Sequence, residues 1–287
     1  MKIFATILLI LFTGQLIFAQ EIELMNKFES YSHTMDTTTI PYRLFTPENL
    51  GAEKVPLVIA LHGAGERGND NQKHIEFHRL ATVWVDSLNQ LENPCFVVAP
   101  QCPKEQKWVD VNWGSNTYNF HSTPISNELA TVSDLIDSLI AQNPIDENRI
   151  YVTGLSMGGF GSWYLLMNNP NRFAAAIIFS GAADPEMACD IKDVPIWNFH
   201  GDIDTAVPIE GSRNMIEAIA NCGEDILLIS DPNNNSFFDS EFKVKRVLSS
   251  THLYTEYKNK GHVIWAESYN NWHVREWMFS KKTKNRH

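Results

Sequence analysis

The chain has 287 residues, of which 44% are hydrophobic and 11% aromatic, and its formal net charge is −11. A chain of this length and apolar content can bury a large core, and no linker, charge run or internal repeat divides it, so we expect one folded domain. So acidic a surface repels nucleic acid and anionic lipid, which excludes a nucleic-acid partner and favours neutral or weakly charged ligands.

The first nineteen residues have the pattern of an export signal. Met1-Lys2 precedes an apolar run to Phe18, which ends at the small residue Ala19. This pattern predicts a signal peptide at 1–19, a mature chain from Gln20, and a secreted or periplasmic protein without stable membrane insertion after cleavage. Removal of Lys2, the one charge in this segment, changes the net charge from −11 to −12. A retained membrane anchor is the alternative, because the run is just long enough to span a bilayer.

Residues 20–287 alternate between strand-like and helical stretches. Strand-like runs lie at 57–61, 96–99, 149–153, 174–179 and 196–200, and helical stretches at 72–89, 128–142, 209–221 and 268–279. This alternation predicts an α/β fold with a doubly wound, mostly parallel sheet and helices on both faces. Runs at 29–35 and 41–45 predict an antiparallel edge hairpin.

The segment Gly-Leu-Ser-Met-Gly at 154–158 lies between a predicted strand and a predicted helix. Such a sharp turn pushes the serine hydroxyl clear of the backbone, so Ser156 is the candidate nucleophile. The same turn aims the backbone N–H of Met157 at an anion forming on a substrate.

A serine hydroxyl needs a histidine to accept its proton and a carboxylate to orient that histidine. Asp204 follows the predicted strand at 196–200, and His262 follows a strand-like run at 252–257. The order Ser156, Asp204, His262 is that of an α/β-hydrolase triad. Asp202 lies in the same loop as Asp204, and spacing alone does not decide between them.

A second glycine-rich turn, His-Gly-Ala-Gly at 62–65, follows the strand at 57–61. It occupies the position of the loop that supplies the other oxyanion donor in α/β-hydrolases, so we expect the N–H groups of Ala64 and Met157 to form the oxyanion hole, with Gly65 as an alternative to Ala64. A phosphate-binding loop is not supported, because no Gly-Lys-Ser/Thr follows. His62 and His200 each precede a glycine at a strand end and are interpreted as ordering their loops.

These segments together resemble a known group, the secreted bacterial esterases described as prolyl-oligopeptidase-like or phospholipase-like. Their relatives include dienelactone hydrolase, polyhydroxyalkanoate depolymerases, and feruloyl and acetylxylan esterases. The resemblance spans about residues 40–280 and is carried by the stretches at 61–68, 99–103, 153–159, 200–208 and 261–265. It implies an α/β-hydrolase that cleaves carboxylic esters. In this group the acid is the second carboxylate of the His-Gly-x-x-Asp-x-x-Val-Pro pattern, which favours Asp204 over Asp202.

Residues 223–250 depart from the resemblance, because relatives usually reach the last strand within a few residues. So long an insertion predicts either a lid near His262 or a surface excursion with one extra hairpin or helix. Two tryptophans, Trp108 and Trp265, lie near the predicted catalytic loops and are candidate substrate-binding rings; the alternative is that they cover loop backbone.

Four cysteines remain after the predicted signal peptide, and an even number in an oxidising compartment permits disulfides. Cys189 and Cys222 flank the predicted Asp204 strand and helix and form the more credible pair. No metal or other cofactor is predicted, because His74 and His78 lie four residues apart without further ligands and are interpreted as a solvated helix face.

The sequence thus predicts a secreted serine carboxylic ester hydrolase that acts through an acyl-enzyme. Its substrates are expected to be small-molecule or polysaccharide-linked esters with short-chain or aryl groups. The first alternative is a serine peptidase of the prolyl-oligopeptidase type, although no segment could build the large gating domain of those enzymes. The second is a non-catalytic carbohydrate-binding protein that has kept the fold.

Overall fold

The computed structural model describes residues 20–48, 50–51, 53–230 and 238–283, so the predicted signal peptide lies outside the described residues. Nine strands within these ranges form one sheet: β1 (Glu29–Met35), β2 (Thr38–Phe45), β3 (Val55–Leu61), β4 (Phe96–Pro100), β5 (Ile145–Leu155), β6 (Ala175–Phe179), β7 (Ile196–Gly201), β8 (Ile226–Ser230) and β9 (His252–Tyr257). Their spatial order is β1-β2-β4-β3-β5-β6-β7-β9-β8.

The sheet is parallel from β4 to β8, and β1 and β2 join it antiparallel. Every residue of β3, β4, β6 and β7 is buried. Such unbroken apolar runs are typical of strands that are covered on both faces. β1 is mostly exposed and forms one edge of the sheet. Its antiparallel pairing with β2 confirms the predicted edge hairpin.

Besides a helical stretch at 20–26, eight α-helices lie in the described ranges: α1 (Lys73–Glu76), α2 (Ser87–Glu92), α3 (Asn127–Gln142), α4 (Met157–Asn168), α5 (Glu210–Asn221), α6 (Glu241–Ser249), α7 (Trp265–Asn270) and α8 (Trp272–Phe279). Helices α3, α4 and α5 contribute to one hydrophobic core, and α6, α7 and α8 contribute to a second. The protein therefore has the predicted doubly wound α/β-hydrolase fold, with helices on both faces of the sheet. No helix in the described part of the chain is both long enough and apolar enough to cross a bilayer.

Two predicted helices are wrong as continuous elements. The stretch 72–89 is divided into α1, a 3-10 turn (Thr82–Val85) and the start of α2, because His78 and Arg79 have positive φ angles of 69° and 57°. The stretch 268–279 is interrupted at Asn271, whose side chain accepts a hydrogen bond from the His273 N–H and caps α8. Local capping and backbone turns thus override the helical pattern.

The described parts of residues 223–250 extend the fold at one edge. β8 pairs with β9 in parallel, and α6 buries Val247 in the second core. Residues 231–237, on which the lid prediction now depends, lie outside the described residues.

A disulfide joins Cys189 to Cys222, as the sequence suggested, with a Cα–Cα distance of 5.4 Å. It links the 3-10 helix before β7 (Pro185–Asp190) to the end of α5. These two elements flank the loop that carries Asp204. Closing a loop of this length stabilises a fold by about 2–4 kcal/mol.

Candidate active site

The turn between β5 and α4 brings Ser156 to the carboxyl edge of the sheet. Ser156 has φ 54° and ψ −120°, a conformation that L-residues rarely adopt. Its backbone N–H is held by the Phe179 carbonyl of the neighbouring strand, at 3.0 Å. The strained turn therefore projects the Ser156 hydroxyl out of the sheet edge, as the Gly-Leu-Ser-Met-Gly pattern predicted.

Three predicted site residues from three separate loops are joined by hydrogen bonds. His262 Nε2 lies 2.9 Å from Ser156 Oγ, and His262 Nδ1 lies 2.6 Å from Asp204 Oδ2. The Asp204 side chain is fully buried, whereas His262 keeps 22% of its side chain exposed. The imidazole can therefore reach both the serine and a ligand from solvent.

The loops after β7 and β9 are tied to each other, which explains how residues 58 positions apart meet. The Asp202 N–H donates to the Tyr257 carbonyl and the Ile203 N–H donates to the Lys260 carbonyl, both at 3.0 Å. Trp265, at the start of α7, packs edge-on against the His262 ring with centroids 4.9 Å apart. This packing restricts the orientation of the imidazole. Trp265 is only 2% exposed, and its contact with a ligand stays a prediction.

Asp204 is surrounded by hydrogen-bond donors. Oδ1 accepts from the backbone N–H groups of Ala206 and Val207, at 2.8 and 3.0 Å, while Oδ2 faces two imidazoles, those of His262 and His200. Burial raises the pKa of this carboxyl, but the hydrogen bonds from His200 and His262 outweigh burial and hold the pKa well below its usual value. Asp204 is therefore ionised at neutral pH.

Asp202 occupies a different position. Its Oδ1 is buried and has no hydrogen-bond partner among the described atoms, and its backbone is committed to Tyr257. The geometry therefore brings Asp204, not Asp202, to His262.

The loop after β3 approaches Ser156 closely. A Cβ atom on Gly63 would lie 3.6 Å from Ser156 Cβ, and a Cβ atom on Gly158 would lie 1.9 Å from the Leu61 carbonyl oxygen. Only a glycine at position 158 permits the end of β3 to pack on the start of α4. Ala64 and Met157 are the first residues of their helices, so neither backbone N–H has an acceptor within its own helix. Both are free to donate at this edge of the sheet.

Trp108 does not occupy the predicted position of a ligand-stacking ring. It is 0% exposed, and its indole N–H donates to the His62 carbonyl at 3.1 Å. The ring also packs edge-on against the His62 imidazole, with centroids 5.3 Å apart. The prediction of substrate stacking is therefore corrected, because Trp108 lies beneath the 62–65 loop and supports it.

His62 and Gln101 also support the 62–65 loop and the residues next to it. His62 Nε2 accepts from the Cys102 N–H at 2.9 Å, and Nδ1 lies 2.6 Å from the Gly63 carbonyl. Burial lowers the His62 pKa to about 4. The buried Gln101 amide donates to the Glu66 carbonyl at 3.0 Å. Gln101 is not among the predicted site residues, although its place in the 99–103 stretch, one of those that carry the family resemblance, was a signal.

His74 and His78 do not share a ligand position. His74 Nε2 lies 2.9 Å from the Ala99 carbonyl in the buried core, which corrects its assignment to a solvated face, and His78 pairs with Glu66 at 3.5 Å. Among the residues that the structure describes, no group of three or more His, Cys, Asp or Glu side chains could hold a metal ion.

The chain is similar to known esterases in sequence and in fold. The family model for phospholipases and carboxylesterases matches residues 48–235. The bifunctional acetylxylan esterase/xylanase XynS20E of Neocallimastix patriciarum is 27% identical over 161 residues, which are 56% of this chain and 21% of that protein. The probable feruloyl esterase C of Aspergillus terreus is 25% identical over 199 residues, which are 68% of this chain and 66% of that protein.

A solved structure, the crystal structure of a thermostable esterase, is similar over 90% of this chain and 64% of its own, with 35% identity and a TM-score of 0.77. The chain thus spans less than two thirds of the length of these relatives. An acylaminoacyl peptidase matches at 11% identity and a TM-score of 0.52, which shows the fold alone. The family match covers well over half of the chain, so the chain belongs to the phospholipase/carboxylesterase family of α/β-hydrolases, a family of carboxylic ester hydrolases.

Proposed function

We propose that the protein is a serine esterase whose nucleophile is Ser156. The observation that carries the proposal is the continuous hydrogen-bonded line from Ser156 Oγ through His262 to Asp204, with distances of 2.9 and 2.6 Å. In this proposal Ser156 Oγ attacks the ester carbonyl carbon and its proton passes to His262 Nε2. Asp204 holds the neutral imidazole in the Nδ1–H tautomer and stabilises the imidazolium that forms.

The N–H groups of Met157 and Ala64 receive the negative oxygen of the tetrahedral intermediate. When the intermediate collapses, the alcohol leaves with the proton from His262 and the acyl group stays on Ser156. Water then attacks the acyl-enzyme, with His262 again as the base. Because His262 must be neutral to accept a proton, activity falls at acid pH.

We propose short-chain or aryl esters of carbohydrates as the substrate class, by similarity to the acetylxylan and feruloyl esterases. Ile203 and Val263, which adjoin Asp204 and His262 in sequence, are 58% and 66% exposed and offer apolar contact to an acyl group. Glu66 Oε2 would lie 3.0 Å from a Cβ atom on Gly63. Burial raises the pKa of Glu66, but the bond to His78, the electrostatic attraction of His62 and His78 and a backbone hydrogen bond together outweigh burial and lower that pKa, so the carboxylate is an ionised acceptor for a sugar hydroxyl.

We further propose that residues 1–19 are a signal peptide and that the exported chain begins at or near Gln20. The charged start, apolar run and Ala19 support this proposal. The intact mass of the extracellular or periplasmic protein tests it, and recovery of the full-length chain in the membrane fraction would contradict it.

A fluorophosphonate probe and p-nitrophenyl acetate test the chemistry. We expect labelling and hydrolysis by the wild type, and loss of both in Ser156→Ala. Ser162→Ala is the matched control, because Ser162 lies in α4, the helix that follows Ser156, but is buried and donates to the Gly158 carbonyl. Acetylated and feruloylated oligosaccharides then define the acyl group.

Two outcomes would replace the proposal. If a prolyl p-nitroanilide were cleaved with a higher kcat/KM than every ester tested, the protein would be a peptidase. Absence of both labelling and turnover would indicate the non-catalytic alternative.

A further inference from the structure

A second histidine, His200, contacts the buried carboxylate of Asp204. His200 lies at the end of β7 and is 0% exposed. Its Nε2 lies 3.2 Å from Asp204 Oδ2 and 3.1 Å from the Val207 carbonyl, and its Nδ1 lies 2.7 Å from Ser212 Oγ on α5. Every nitrogen of this buried ring is therefore within hydrogen-bond distance of a partner.

The partners determine which nitrogen carries the proton. The Asp204 carboxylate and the Val207 carbonyl oxygen are both acceptors, so His200 Nε2 must be the donor. The Ser212 hydroxyl, which can donate, then supplies its proton to Nδ1. With the proton on Nδ1 instead, the lone pair of Nε2 would face two oxygen lone pairs in a buried site, which is strongly unfavourable.

We infer that His200 is a positioning residue of the proposed triad: its Nε2–H holds Asp204 Oδ2 towards His262 and shares the negative charge that His262 would otherwise receive alone. This inference rests on the proposed function. With His200, the carboxylate has four donors, two on each oxygen. A saturated carboxylate cannot rotate without losing several bonds at once.

Other charged groups near His200 are already compensated. Glu256 on β9 is the strand partner of His200, and the Arg213 guanidinium of α5 binds both of its carboxylate oxygens, at 2.8 and 3.1 Å. The Tyr254 hydroxyl also donates to Glu256. Asp204 is therefore the acceptor whose charge His200 moderates, and His262 is the group that responds.

Substitutions at His200 and Ser212 separate positioning from packing. In His200→Gln the side-chain amide keeps an N–H donor near the Nε2 position, whereas in His200→Asn the shorter amide replaces Nδ1 and the donor to Asp204 is lost. Ser212→Ala leaves His200 in place but removes the hydroxyl that donates to its Nδ1. All three are compared with the wild type in kcat and KM for p-nitrophenyl acetate from pH 5 to 9, in thermal unfolding, and in the downfield proton resonance of His262 Nδ1–H.

For His200→Asn we expect kcat to fall about tenfold to hundredfold, with KM within a factor of about two. The acid limb of the pH profile of kcat/KM should move to higher pH by about half a unit. Without the His200 donor, Asp204 directs its full charge at His262. We expect His200→Gln to restore most of kcat and the wild-type limb, and Ser212→Ala to show a smaller shift of the same sign. The His262 proton resonance should move in His200→Asn and Ser212→Ala without any substrate.

The inference is overturned if folded His200→Asn keeps the wild-type kcat and limb, or if the Asn and Gln variants lose activity equally with an unshifted limb. Should His200→Asn fail to fold, an unchanged limb and resonance in Ser212→Ala overturn the inference instead. The proposed function fails separately, when the wild type itself shows no hydrolysis that depends on Ser156.

Discussion

The same dipeptide, His-Gly, follows β3 and forms the end of β7, two central parallel strands, yet the two histidines form opposite hydrogen bonds. His62 accepts at Nε2 from the Cys102 N–H, so its proton is on Nδ1 and bonds the Gly63 carbonyl. His200 has acceptors around Nε2 and a hydroxyl at Nδ1, so its proton is on Nε2. A buried imidazole therefore takes its tautomer from the neighbouring strands and helices, not from the local sequence.

The two histidines belong to two loops of the site, and these loops are supported in different ways. At the 62–65 loop the buried donors are uncharged: the indole of Trp108 bonds the His62 carbonyl and the amide of Gln101 bonds the adjoining Glu66 carbonyl. The partly buried Arg67 guanidinium also donates to the Ala64 carbonyl, at 2.9 Å. The loop at 201–207 is held around an ionised carboxylate, Asp204. An oxyanion hole needs no charge of its own, whereas the histidine base needs one, so the two supports suit the two proposed roles.

The largest expected effect comes from removing that charge. In Asp204→Asn the amide cannot accept hydrogen bonds at both oxygen positions, so His262 adopts the wrong tautomer towards Ser156. We expect kcat to fall by about four orders of magnitude with folding nearly intact. Asp202→Asn is the matched control and should cost far less, because Asp202 does not contact His262. Steady-state kinetics and circular dichroism test both variants, and the reverse ranking would reassign the acid.

An effect of intermediate size is expected on folding stability when the pH is lowered, and it acts through His62 in the 62–65 loop. Burial lowers the pKa of His62 from 6.5 to about 4, so between these values the unfolded chain binds a proton that the folded protein refuses. The contribution to stability is present above pH 6.5 and is lost as the pH falls through 4, and it is worth about 3 kcal/mol. Burial lowers the pKa of His74 to about 3, so His74 acts in the same direction.

Urea unfolding at pH 7 and pH 4.5 measures this effect. His62→Gln keeps an acceptor for the Cys102 N–H but does not titrate, so we expect it to lose less stability on acidification than the wild type. The prediction concerns only this loss, so the His62→Gln variant need not be as stable as the wild type at pH 7. Equal losses in the two proteins would show that His62 does not govern acid sensitivity.

The sequence was sufficient for the α/β fold. It also picked out Ser156, Asp204 and His262, which hydrogen bonds join in the structure, because each follows a strand in a turn with a recognisable pattern. It was insufficient for the helical stretch at 72–89, where positive φ angles at His78 and Arg79 depend on tertiary contacts such as the Arg79–Glu21 ion pair. It also misplaced Trp108. A tryptophan in a polar loop has the same sequence signature whether its ring faces solvent or lies under the loop backbone.

The smallest expected effect comes from Trp108→Phe, which keeps a buried ring but removes the indole N–H that bonds the His62 carbonyl. A buried carbonyl that loses its donor costs about 1–2 kcal/mol, so thermal unfolding should occur a few degrees lower. Because the 62–65 loop then moves relative to Ser156, kcat should fall a few-fold by the same factor for acetyl and feruloyl esters, with KM unchanged. Trp272→Phe on α8, where the ring stacks on Arg275, is the control and should leave kcat unaltered. A rise in KM confined to aryl esters, with wild-type stability, would instead mean that Trp108 contacts the substrate, and the loop it supports would have to open during turnover.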